Sequence, residues 1–154
     1  MSKLKERIKQ TKDFDGPAHE AMLNLIVAAA TVREDIEDVC NRYDLSSSHY
    51  NVLRILGGGP EEGYPRCDII DRMLDRGPDV TRLTDRLVKK GLVERGRSKE
   101  DGRLTMHRIT PEGRQLLDAM QDDIRGLQEQ FSEQLSESEQ RQWSRLCASI
   151  YAEQ

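Results

Sequence analysis

Thr81, Arg82, Arg86 and Lys89 fall within one short stretch, Arg76 to Gly91. Val80, Leu83, Leu87 and Val88 recur there at helical spacing and mark an apolar face. The opposite face then carries Arg82, Asp85, Arg86 and Lys89, with Thr81 at its edge. Such a face donates hydrogen bonds and positive charge, which suits phosphate oxygens and base edges in a major groove. A solvated surface helix is the plainer explanation of the same residues. Pro78 suits the first helical position because its missing N–H has no partner there. Gly91 supplies the stop, and Lys89 and Lys90 complement the negative end of the helix.

The residues that follow favour the sharper reading. Leu92 to Arg97 reads as a strand, Ser98 to Gly102 as a turn, and Arg103 to Ile109 as the return strand. Asp101-Gly102 is the strongest turn signal. A basic hairpin directly after a basic helix is the outline of a winged helix-turn-helix. Arg97, Lys99 and Arg103 then cluster near the tip. A guanidinium there can enter a narrow minor groove, where negative electrostatic potential is concentrated. Asp101 stands two residues from Arg103 and is positioned to pair with that side chain and orient it.

Other chemistry is poorly supported. Gly57 to Gly63 is glycine-rich, but it follows a helical pattern and carries Glu61 and Glu62, which repel a phosphate. His19, His49 and His107 show no metal-ligand spacing with the cysteines. Carboxylates are abundant, yet no pair is singled out for acid–base work. No catalytic residue, metal or cofactor is therefore expected. Cys40, Cys67 and Cys147 are sparse and odd in number, which argues for a reducing compartment and against a disulfide framework.

The flanking pattern is helical. Residues 1–17 read as a charged arm, flexible or packed in a dimer, closed by Gly16-Pro17. Apolar residues recur at three and four from Ala18 to Tyr43. Ser46 can cap a further helix that stops at Gly57 to Pro60. Arg66 to Leu74 reads as the helix before the turn, with Ile69, Ile70 and Met73 facing inward. Thr110-Pro111-Glu112 opens a long helix reaching about Leu135. Ser136 to Glu139 is a capping box for a last helix with Trp143, Leu146, Ile150 and Tyr151 on one face. The expected fold class is mainly α with a small β-hairpin wing. It divides into an arm at 1–17, a helical dimerisation region at 18–45 and 110–154, and a winged helix-turn-helix lobe at 46–109.

Bulk properties agree. Charged residues make up 34% and aromatics 5%, as in a helix-rich soluble protein. The formal net charge is -4, yet Arg76 to Arg108 holds ten Lys/Arg against five Asp/Glu, a local +5 that leaves -9 elsewhere. Contact with phosphates follows local charge, since screening at moderate salt acts within about 10 Å. No apolar run approaches a membrane span, and Met1 to Ile8 has no secretory core region, so the cytoplasm is the expected compartment.

Val80 to Arg95, Asp101-Gly-Arg103 and Arg108 to Gly113 together resemble the MarR family of transcriptional regulators, and the likeness extends over roughly residues 18–153. The loop Gly57 to Pro65 departs from the family pattern in its length and its glycine and acid content. The resemblance implies a homodimer on a pseudo-palindromic operator, with repression relieved by a small ligand or by oxidation. It implies that Thr81 and Arg82 reach base edges, with Pro78 and Asp79 close to DNA. Arg86, Lys89 and Arg97 would lie toward phosphates, Lys99 near the DNA at the wing tip, and Arg103, oriented by Asp101, in the minor groove. It also implies an effector pocket, often for aromatic acids or phenols, to which Arg33, His49 and Tyr50 are candidates. Peroxide sensors of the family carry a cysteine near the start of the first core helix, whereas Cys40 lies near its end. A redox role for Cys40 and a dimeric protein-interaction module are the alternatives to a ligand-controlled repressor.

Overall fold

In the computed structural model, residues 2–152 are described. Helix α1 (Lys3–Arg7) is followed by α2 (Pro17–Asn41), α3 (Ser47–Gly57), strand β1 (Tyr64–Pro65), α4 (Arg66–Arg72) and α5 (Val80–Lys89). Strands β2 (Val93–Arg97) and β3 (Thr105–Ile109) come next, then α6 (Pro111–Gln134) and α7 (Glu137–Tyr151). The architecture is mainly helical, with one small antiparallel sheet in the order β1-β3-β2. In its hairpin Val93 stands opposite Ile109 and Arg97 opposite Thr105.

Local chemistry accounts for most boundaries. Ser46 accepts the backbone N–H of His49, Thr110 that of Gly113, and Ser136 that of Glu139, so each helix start satisfies an orphan donor. Gly91 adopts a φ of 72°, the left-handed conformation that ends α5 and admits β2. Apolar periodicity then assembles the core. Val52, Leu53 and Leu56 of α3, Ile69 of α4, Leu83 and Leu87 of α5, Val93 of β2 and Met120 of α6 are all buried. This core lies beneath the helix-turn-helix and fixes the angle at which α5 and the hairpin face outward.

Several expectations are corrected. Pro78 is not the first residue of α5; Asp79 caps the helix, accepting the N–H groups of Thr81 at 3.0 Å and Arg82 at 3.4 Å. A carboxylate that satisfies two orphan donors outweighs the fixed φ of proline as a start signal. Helix α4 ends at Arg72 because Met73 is extended (φ -64°, ψ 138°), and Ile70 is partly exposed while Ile69 and Met73 are buried. The arm is not free either: α1 packs on α2, with Leu4 buried. The unusual loop after α3 returns as β1, pairing Tyr64 with His107 and Pro65 with Met106.

The frame around α7 is different. Helix α7 buries no residue of its own, and Trp143, Leu146, Ile150 and Tyr151 are exposed. Met22, Ile26 and Val32 of α2 and Phe131 of α6 are exposed too. Among the described residues, no helix is long and apolar enough to cross a membrane.

Candidate nucleic-acid interface

The outward face of α5 is held at both ends. Asp79 caps its start and also lies 3.5 Å from Arg82 Nε, so the exposed Arg82 is tethered to the first turn. Thr81 accepts a hydrogen bond at 3.1 Å from Arg66 Nη1, across from α4. Asp85, on the same helix, forms an ion pair with Arg95 of β2. Arg86 and Lys89 are exposed on the helix. Lys90 turns the other way and pairs with Asp44, tying the helix end to the loop after α2.

The hairpin tip is ordered by its own side chains. Ser98 Oγ accepts the N–H groups of Glu100 and Asp101, each at 3.2 Å. Asp101 Oδ1 accepts the backbone N–H of Arg103 at 3.0 Å. The carboxylate therefore shapes the turn rather than gripping the Arg103 guanidinium, as the sequence spacing had suggested. Arg97 Nη1 donates to the Gly102 carbonyl at 2.9 Å, so this arginine closes the turn. Lys99 and Arg103 remain exposed at the tip.

Thr81 and Arg103 are brought to one side of the lobe, where both line a cavity between α4, α5 and the hairpin. Arg66, Arg95, Asp85 and His107 line it too, and sequence reasoning missed all four. Arg66 lies 15 residues from its partner Thr81, and Arg95 lies 10 from Asp85, so no helical or strand period links them. Burial holds the His107 imidazole below its ordinary value of 6.5, with the nearby Arg95 and Arg66 charges acting in the same direction.

A second cavity, of about 440 Å3, lies between α2, α3 and the α4–α5 turn. Arg33 and Tyr50 line it, together with Arg54, Arg72, Ile36 and Leu74. His49 does not join them. Its ring serves the α3 cap, with Nδ1 accepting the Ser46 N–H at 3.3 Å. Burial, then the Arg86 and Lys90 charges, lower its affinity for a proton. Arg33 Nη1 lies 3.5 Å from Asp75 Oδ2, linking the long first helix to the turn before α5.

Cys40 is 0% exposed, and burial pushes its thiol up to about 11, with Glu37 adding to the shift. Nucleophilic thiolate is therefore scarce at neutral pH. Peroxide at levels that oxidise exposed thiols is expected to leave DNA binding by Cys40→Ser and wild type equally affected, as gel-shift titration after treatment can check. Protection by Cys40→Ser would contradict that.

Comparison with known proteins agrees with this geometry. Residues 43–104, which carry α3 through the hairpin tip, match the MarR family profile. The chain is 27% identical over 118 residues to the HTH-type transcriptional repressor IacR of Pseudomonas putida, an alignment covering 77% of this chain and 70% of that one. It is similar to the MarR transcription factor from Planctomyces limnophilus at 32% identity and a TM-score of 0.67, covering 88% of this chain and 98% of that one. The S. aureus MepR–DNA complex contains a chain of like fold, with a TM-score of 0.75 at 20% identity, covering 88% of this chain and 98% of that one. The chain belongs to the MarR family of winged helix-turn-helix, DNA-binding transcriptional regulators.

Proposed function

We propose that the chain is a cytoplasmic homodimeric repressor that binds a pseudo-palindromic operator. The observation that carries this reading is the cavity that Thr81 of α5 and Arg103 of the wing line together. On this reading Thr81 and Arg82 read base edges in the major groove, with Pro78 and Asp79 beside the DNA at the helix start. Arg86, Lys89 and Lys99 lie against phosphates, and Arg97 keeps the wing in shape. Arg103 enters the minor groove. The lobe at 46–109 reads DNA, and the helices at 18–45 and 110–152 join two copies. Residues 153 and 154 of that region lie outside the described residues. The word repressor in the IacR name and the DNA in the MepR complex support the reading. Selection of preferred duplexes from a random pool tests it. Inverted repeats with half-sites about one helical turn, roughly 10 bp, apart are expected. Equal binding to every duplex would reject it.

The wing assignment predicts that Arg103→Ala costs about 1–3 kcal/mol of operator affinity. Titration at fixed salt measures this, and an unchanged midpoint removes Arg103 from the interface.

The effector site is the cavity at Arg33 and Tyr50. Its guanidiniums and apolar walls suit an aromatic acid, with the carboxylate toward arginine. A ligand carboxylate there competes with Asp75 for Arg33 and so acts on the turn that precedes α5. The ligand releases the operator if it binds more tightly to the dimer whose lobes are wrongly spaced.

A further inference from the structure

The cavity between α4, α5 and the base of the hairpin measures about 550 Å3. Three cationic side chains from separate segments line it: Arg66 opens α4, Arg95 lies on β2, and Arg103 follows the tip. Asp85 is the one carboxylate in the lining, and Arg95 already neutralises it. Hydroxyls of Thr81 and Thr105 stand among the arginines. His107 also lines the cavity; it is 5% exposed, and its Nδ1 has no hydrogen-bond partner among the described residues.

A helix in the major groove and a hairpin in the adjacent minor groove straddle a sugar–phosphate strand. That strand must cross the surface between them, which is where this cavity opens. Guanidinium forks match phosphate oxygens in geometry as well as charge. We infer that the cavity seats a backbone phosphate of the operator, gripped by Arg66 and Arg95 above Thr81 and His107. The inference rests on the DNA-binding reading and extends it to residues that reading lacked. Arg66 spends one donor on Thr81 and keeps the remainder of its fork for the phosphate. It thereby also positions the hydroxyl of the base-reading face.

The test uses the full chain and its selected operator. Arg66→Gln is compared with wild type, and Arg95→Gln is combined with Asp85→Asn so that no carboxylate is left unpaired. Each change is expected to weaken operator and random duplex alike, by about tenfold. Arg66→Gln should also make the slope of log affinity against log salt shallower by about 0.9, whereas the charge-neutral replacement of the Arg95–Asp85 pair should leave it nearly unchanged. Single neutral methylphosphonate linkages are then placed along the operator. One position should cost wild type about tenfold and cost the variants nothing further. An unchanged slope in Arg66→Gln, with every methylphosphonate effect intact in both variants, overturns the seat while operator recognition stands. Failure of wild type to prefer any duplex overturns the seat together with the reading beneath it. Inorganic phosphate at constant ionic strength is the second arm. If it binds wild type but not the variants, yet leaves operator bound, the occupant is free phosphate and the backbone assignment is overturned.

Discussion

Leu146→Asp combined with Ile150→Asp is expected to make the protein monomeric and to weaken operator binding by about 100- to 10,000-fold, the range gained when two sites are linked. Both side chains are more than half exposed on α7, which contributes no buried residue to its own chain. Fully burying a side chain of this size contributes about 1.5–3 kcal/mol, so a second subunit is the natural cover. Two-fold symmetry would bring each aspartate into a desolvated interface twice, without a partner cation. The lobe should remain folded, because its core runs through α3, α4, α5 and the sheet rather than α7. Light scattering reads the mass, circular dichroism the helix content, and fluorescence anisotropy the operator affinity. A folded variant that stays dimeric and binds operator at wild-type strength would remove α7 from the dimer contact.

What the sequence revealed and what it hid separate along a physical line. Helix starts at Ser46, Thr110 and Ser136 were legible because a cap acts within three residues of itself. The stop at Gly91 was legible because one glycine supplies the required φ. The face of α5 followed from a period of 3.6. Strand β1 was hidden because two residues show no alternation. The partners Arg66–Thr81, Arg95–Asp85 and Arg33–Asp75 were hidden because the fold, not a local period, brings them together. His49 shows how a local contact can defeat a functional guess. Three residues after Ser46, its ring could reach the cap, and it did.

The hidden elements prove to be those that set the spacing between helix and wing. Strand β1 ties the loop after α3 to β3, opposite the hairpin partner β2. His107 sits at that junction, paired with Tyr64 on one side and Arg95 on the other. Cation–π contact between Arg72 and the Tyr64 ring, at 4.2 Å, fastens the same strand to α4. A change at β1 therefore reaches the DNA-facing surface without touching any of its charges.

Gly63→Ala is such a change, and it is expected to destabilise the fold by about 2–4 kcal/mol and to weaken operator binding further than the stability loss alone explains. Gly63 has a φ of +79°, where a side chain is strained. A Cβ there would also lie 1.9 Å from the His107 carbonyl oxygen and 2.7 Å from its carbon. Those are backbone atoms of the central strand, so no rotamer change relieves the clash. Either Gly63 withdraws and β1 unpairs, or β3 moves and carries His107 with it. Both outcomes shift the wing relative to α5, and the base-reading helix and minor-groove arginine proposed above need a fixed separation. Thermal unfolding gives the stability loss, and operator titration well below the midpoint gives the affinity of the folded fraction. Gly58→Ala is the control, since its Cβ would meet only the Arg54 carbonyl oxygen at 3.4 Å, an ordinary contact, with no positive φ to lose. If Gly63→Ala unfolds no earlier than that control, the β1–β3 junction is not what holds the wing in place.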